Sequence, residues 1–309
     1  VPIREQRLGG VCAATLTPLD NRREPDHAAL VTHCRRLLRS GCDAINLLGS
    51  TGEATSLAVA ARLGVMEAIA ASGLPLDAFM VGTGAAAFAD AVVLTRAAVG
   101  LGFAGALVVP PFYFKNLTAD GVFRFYAELI AAVGDPRLRI YLYNFPQLSG
   151  FTFSVALVER LTAAFGEIIA GIKDSSGAVG YPEAVVAACP TLAVFPSTEA
   201  VLADGRAKGF AGCISATVNV NAPLAGHVWN GAHGAHDAHA ALCATRDVIA
   251  RHQLVPATRA VLAALLDDDA WLRVLPPLIE LTPSDAAGLV AELDRIPAFA
   301  TVRAAFACA

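Results

Sequence analysis

The chain has 309 residues, of which 55% are hydrophobic and 16% charged, with a formal net charge of −4. That length holds one large domain or two ordinary ones, and that composition builds a sizeable buried core. The weak negative charge gives no reason to expect nucleic acid or an anionic membrane as partner, and glycine, proline or charge interrupts every apolar run before it reaches a membrane span.

Val1 to Arg7 lacks the apolar centre of a signal peptide. The seven cysteines are odd in number and scattered, without a C-x-x-C pair. A reduced, cytoplasmic protein with thiols as small core residues is the expectation.

In chain order, Val11 to Thr15 reads as a strand and Asp26 to Arg39 as a helix, with Asp26 as N-cap after Pro25. Ala44 to Leu48 is the second strand, followed by Gly49-Ser50-Thr51-Gly52-Glu53 and a helix over Ala58 to Ala71. Phe79 to Val81, Gly105 to Val109, Leu138 to Tyr143, Ile168 to Ile172 and Leu192 to Phe195 read as strands. Their helices are Ala87 to Leu101, Ala119 to Val133, Ser154 to Phe165, Val179 to Ala188 and Glu199 to Lys208. Ala211 to Ser215 is the eighth strand. Eight strand-then-helix units predict an α/β chain closed as a (β/α)8 TIM barrel over 1–220, with a doubly wound sheet as competitor. After Val220 the strands stop. Helical patterns at Ala235 to His252, Thr258 to Leu266 and Asp285 to Leu293 predict a C-terminal extension over 221–309, packed on the barrel.

In such a barrel the chemistry lies at the C-terminal strand ends. Lys173 ends the apolar run Ile168 to Ile172, and only Lys115 and Lys208 accompany it as lysines. An ammonium there costs solvation, which favours the neutral amine, a nucleophile able to form a Schiff base with a ketone. A strand-end lysine that snorkels to solvent is the competing reading. The loop Ser50-Thr51-Gly52 offers backbone N–H groups and two hydroxyls to a carboxylate, although it is also an ordinary turn sequence. Tyr143 is either a core tyrosine or, beside an amine, a group that moves protons.

Gly49-Ser50-Thr51-Gly52-Glu53, Tyr143-Asn144-Phe145-Pro146 and Gly171-Ile172-Lys173-Asp174, in that order and spacing, resemble the dihydrodipicolinate synthase/N-acetylneuraminate lyase family. The resemblance extends to Gly82-Thr83-Gly84, Pro110-Pro111-Phe112-Tyr113 and Gly212 to Thr217. It implies a class I, Schiff-base aldolase or lyase acting on pyruvate or another 2-oxo acid with an aldehyde, and no metal or organic cofactor. It implies Lys173 as the imine-forming residue, Tyr143 as proton carrier, and Ser50, Thr51 and Gly52 as the carboxylate site. Tyr113 matches a tyrosine that reaches a neighbouring subunit's site in a homotetramer built from tight dimers.

Departures narrow the substrate. Dihydrodipicolinate synthases carry an arginine where this chain has Leu148, which cannot pair with a carboxylate. Pro146-Gln147-Leu148-Ser149-Gly150 looks more like the neuraminate lyase branch. Yet the adjacent Asp and Glu that hold the sugar tail there match Glu199 and Ala200, and a serine of those lyases matches Ala216. A shorter 2-keto-3-deoxy sugar acid is the expected substrate, contacted by Ser175, Ser197, Thr198, Glu199 and Ile214. A dehydratase using the same imine and a non-catalytic 2-oxo-acid sensor are the alternatives.

Two weaker patterns remain. Gly82-Thr83-Gly84-Ala85-Ala86-Ala87 imitates a dinucleotide loop, but the next strand ends in Pro110-Pro111 without an acidic residue for a ribose. His233, His236, Asp237 and His239 cluster near a helix start, where a solvated polar face is the simpler reading than a metal site.

Overall fold

The structure, a computed structural model, describes residues 8–307. The stretch read for a signal peptide and Cys308 lie outside the described residues.

Eight short parallel strands form one sheet: β1 Gly10–Ala14, β2 Ala44–Leu47, β3 Phe79–Gly82, β4 Gly105–Val108, β5 Ile140–Asn144, β6 Ile169–Asp174, β7 Ala193–Pro196 and β8 Gly212–Ser215. Their order is β7-β6-β5-β4-β3-β2-β1-β8. The Ala211 N–H donates to the Val194 carbonyl at 2.9 Å and draws β7 to β8. The sheet is therefore a nearly closed (β/α)8 barrel, as the alternating pattern predicts, and not a doubly wound sheet.

Period-two alternation divides each strand between two cores. Cys12, Ala14, Ala44, Met80, Leu107, Tyr141, Tyr143, Phe195 and Ile214 fill the barrel interior. Val11, Ile45, Val81, Val108, Leu142, Ile172 and Val194 face the surrounding helices. Asp26 caps the first helix, His27–Arg39, by accepting the Ala29 N–H at 2.9 Å.

Differences from the sequence reading follow physical causes. The segment expected as a helix from Glu199 to Lys208 has one short 3-10 turn, Glu199–Val201, and then irregular turns. Its first residue is drawn inward by partners from elsewhere, and Gly205 and Gly209 weaken helix formation after it. Helix Val218–Trp229, which crosses the expected border at 220/221, contains Pro223 and a non-helical Asn221. Those residues hide its period from the sequence. Asn219 supports the bend by donating to the carbonyls of Ala14 and Ala216, at 2.8 and 2.7 Å. The later helices are Ala235–Ala250, Leu254–Leu266, Pro283–Leu293 and Phe299–Ala307. No helix of the described residues is long and apolar enough to cross a membrane.

Candidate active site

Tyr143 and Lys173 are neighbours across the β5–β6 pair, in register with one another. Tyr143 is packed in the inner core beside Phe145, whose ring centroid is 5.6 Å away. Lys173 places its Nζ over the Tyr143 ring, 4.6 Å from the centroid, and both residues are 5% exposed. Among the described residues no carboxylate forms an ion pair with Lys173. Cys12, close enough to interact electrostatically with Lys173, is held as the neutral thiol: burial pushes its pKa up to about 12. The amine therefore lies against an aromatic face inside the barrel, with an uncharged thiol nearby.

The same alternation turns Asn144 and Asp174 the other way. Asn144 Nδ2 donates to Asp174 Oδ1 at 2.7 Å, and Asn144 Oδ1 accepts the Phe153 N–H at 3.1 Å. Asp174 also accepts from the Ser176 N–H and hydroxyl, at 3.2 and 3.1 Å. Burial raises its pKa against the opposing effect of these bonds. This cross-strand clasp on the outer face braces the register that pairs the phenol with the amine on the inner face.

The loop after β2 is fastened from below. Leu48 and Glu53 both adopt the left-handed region, with φ of 53° and 55°. Thr17 Oγ1 donates to the Gly52 carbonyl at 2.9 Å. A side chain at Gly52 would meet Thr17 Oγ1 at 2.9 Å, so the close approach requires glycine. Glu53 is buried and pairs with buried Arg259 from helix Leu254–Leu266 at 2.5 Å; it also accepts the Leu275 N–H at 2.6 Å. The closing acid of the loop is thus an anchor for the C-terminal helices. Ser50 stands exposed at the rim and Thr51 is buried.

The other expected contacts divide. Ile214 lies in the inner core opposite Cys12 in the β1–β8 register. Ser175 and Ser197 are half-buried, and their N–H groups donate to the Asn144 and Asp174 carbonyls at 2.7 and 2.8 Å. Thr198 accepts the Ala200 N–H. Glu199 is fully buried, and four side chains already meet its carboxylate. Ser215 Oγ and Arg246 Nη1 donate to Oε2 at 2.5 and 2.9 Å, and Asn221 Nδ2 donates to Oε1 at 2.8 Å, alongside Thr217. Burial alone would raise its pKa; Arg246 and the hydroxyl and amide donors outweigh that and hold it below the usual value. Tyr113 is 76% exposed and stacks edge-on against Phe114 at 5.4 Å.

Asn221, Arg246 and Arg259 carry no local motif, and the sequence reading passes over them; Asn144 and Asp174 stand in the motifs of Tyr143 and Lys173, but their clasp across the strands is not legible there. Of the histidine cluster, His239 donates to the Ala200 carbonyl at 2.8 Å, and among the described residues no group of three metal-ligating side chains gathers. Two outer grooves lie elsewhere. One of about 560 Å³ is bordered by Arg36, Asp267 and Trp271, and one of about 640 Å³ by Arg39, His227 and Asn230. Neither touches the amine or the phenol, so chemistry and not groove size marks the site.

Known proteins share this arrangement of chain. A DapA-like lyase of Chloroflexus aurantiacus is 33% identical over 297 residues, covering 94% of this chain and 98% of the relative. An N-acetylneuraminate lyase of Salmonella paratyphi B is 29% identical over 213 residues, covering 69% and 70%. The crystal structure of dihydrodipicolinate synthase from Agrobacterium tumefaciens superposes with a TM-score of 0.86 at 29% identity, covering 93% of this chain and 99% of that one. The profile of the dihydrodipicolinate synthetase family matches residues 7–285, so the chain belongs to that family and is an enzyme of its carbon–carbon lyase class.

Proposed function

We propose that the protein is a Schiff-base lyase or aldolase that cleaves or forms a 2-oxo acid, with pyruvate as one partner and an aldehyde as the other. The observation that carries this reading is the buried Lys173 amine over the face of Tyr143, with no acidic partner among the described residues.

In this reading the Lys173 amine adds to the C2 carbonyl and water leaves, giving an imine. Tyr143 gives its phenol proton to the departing hydroxyl, which leaves the imine protonated and Tyr143 a phenolate, and that phenolate takes the proton of the C4 hydroxyl. The electrons of the C3–C4 bond then move into the imine, which releases the aldehyde and leaves an enamine. The enamine takes a proton at C3, and water divides the resulting imine into pyruvate and free lysine. Run backwards, the steps join the two. The imine itself is the electron sink, so the sequence of steps calls on no metal or organic cofactor. Ser50, Thr51 and Gly52 hold the carboxylate at the rim of the opposite wall.

A 2-keto-3-deoxy sugar acid fits best. Leu148, 54% exposed where synthases carry an arginine, offers no charge to a second carboxylate. Glu199 is already paired inside the protein, which leaves Ser175, Ser197 and Thr198 as the polar groups of that wall. The assembly in this reading is a homotetramer of tight dimers, supported by the exposed aromatic pair Tyr113 and Phe114. The six free thiols among the described residues support the reducing cytoplasm as its location.

The test is borohydride reduction with pyruvate, followed by peptide mass mapping. A stable adduct on Lys173 is expected; no adduct on any lysine overturns the reading. Product analysis over a panel of 2-keto-3-deoxy acids then separates cleavage, which yields pyruvate and an aldehyde, from dehydration.

A further inference from the structure

β2 carries a polar residue in an otherwise apolar run, Ala44-Ile45-Asn46-Leu47. Ile45 and Leu47 belong to the outer core, whereas Ala44 belongs to the inner one. Alternation therefore turns Asn46 into the barrel. Its register partners agree, since Ala14 on β1 and Met80 on β3 both belong to the inner core. Asn46 is completely buried, yet among the described residues neither Nδ2 nor Oδ1 has a hydrogen-bond partner.

Position sharpens the anomaly. β2 and β6 are four strands apart in either direction around the barrel, so Asn46 stands on the wall facing Lys173. Inward side chains of alternate strands share layers in such barrels, which assigns these two walls to the same set. The amide also lies directly beneath the carboxylate loop: a Cβ built on Gly49 would come within 2.6 Å of Asn46 Nδ2. A buried amide with both ends unpaired is costly, and native interiors supply such a group with water or ligand. The kind of partner follows from the two ends. A carboxylate would satisfy Nδ2 but set negative charge against Oδ1. One O–H group satisfies both, because it accepts from Nδ2 and donates to Oδ1.

We propose that Asn46 is a further binding residue of this site, and that its carboxamide reads one hydroxyl of the 2-oxo acid beyond C4 from the wall facing Lys173. The assignment rests on the imine reading above. It makes Asn46 a determinant of specificity for acids hydroxylated beyond C4 over those that are not.

The test uses a matched pair that shares the C4 hydroxyl, 4,5-dihydroxy-2-oxopentanoate and 4-hydroxy-2-oxopentanoate, in borohydride trapping on the full chain. Wild type is expected to trap the dihydroxy acid at a half-saturating concentration at least about tenfold lower than its partner. Asn46→Leu should erase that preference. Asn46→Ala, which cannot clash with Gly49, is run beside it with the same expectation. If both acids are trapped more slowly but the preference survives, the amide serves a fixed water and the substrate assignment is overturned. If rates and preference both survive, Asn46 has no role in binding and the proposal is also overturned. If wild type traps neither acid on Lys173, the imine reading itself fails and carries this assignment with it. That result is distinct from the others because it needs no comparison with a variant.

Discussion

Lys173 Nζ lies 4.6 Å from the centroid of the Tyr143 ring, over its face, with both residues carried by adjacent strands in exact register. The amine is positioned by a ring whose own hydroxyl is the proton carrier in the proposed mechanism, so position and chemistry separate on substitution. Lys173→Ala should abolish the borohydride adduct. Lys173→Met keeps an unbranched side chain against the ring but has no amine to form an imine, and should abolish the adduct equally while restoring stability lost in the alanine variant. Mass mapping after reduction, with thermal melting beside it, checks both.

Tyr143→Phe removes only the hydroxyl. The ring contact with Lys173 and Phe145 stays, so the melting temperature should hold within a few degrees. Turnover should fall by about 10²–10⁴-fold, the usual worth of a positioned proton carrier. Steady-state rates for cleavage, compared with the rate of borohydride trapping, show whether the loss lies in bond breaking or in imine formation. Near-normal turnover would remove Tyr143 from its role.

Glu199→Ala tests a different expectation. Because Ser215, Thr217, Asn221 and Arg246 converge on its carboxylate, the substitution should cost about 3 kcal/mol of folding stability, as for other broken buried ion pairs. Urea unfolding measures that loss. Glu199 contacting substrate through an open carboxylate would instead give a stable variant with raised KM.

Acid should weaken the fold in two stages. His33 is fully buried against Asn219, its Nε2 3.0 Å from Oδ1, and burial lowers its pKa from 6.5 to about 4. Between those values the unfolded chain binds a proton that the folded chain does not. Stability is therefore full above pH 6.5 and declines as the pH falls towards about 4, by a few kcal/mol at most. Glu199, whose folded pKa lies below its ordinary 4.5, adds a further loss as the pH falls below that value. Chemical denaturation from pH 7 to 4 checks the first stage, and His33→Gln should flatten it.

Much of the fold is legible because the barrel repeats a local rule. A strand of small and β-branched residues needs only neighbours to show itself, and Asp26 caps its helix from one residue away. Lys173 stands out as a rare lysine ending a buried strand. Glu199 is opaque for the opposite reason: its partners come from positions 215, 217, 221 and 246, and no local pattern announces that convergence. The expected helix after Glu199 fails with it. Asn46 is intermediate. Its polarity within an apolar strand is plain in the sequence, but the lack of a partner for its amide is a property of three dimensions. Helix Val218–Trp229 is hidden by its own proline and bend.

The tie between Glu53 and Arg259 has a consequence for the order of synthesis. All eight strands have left the ribosome once Ser215 is free, yet Arg259 and the Leu275 N–H that fix the loop after β2 follow later. A nascent chain halted between those points owns every barrel strand and both residues of the amine–phenol pair, but holds a buried acid without its cation. Competence at the rim thus waits on chain well beyond the eighth strand, until Arg259 and Leu275 are in place.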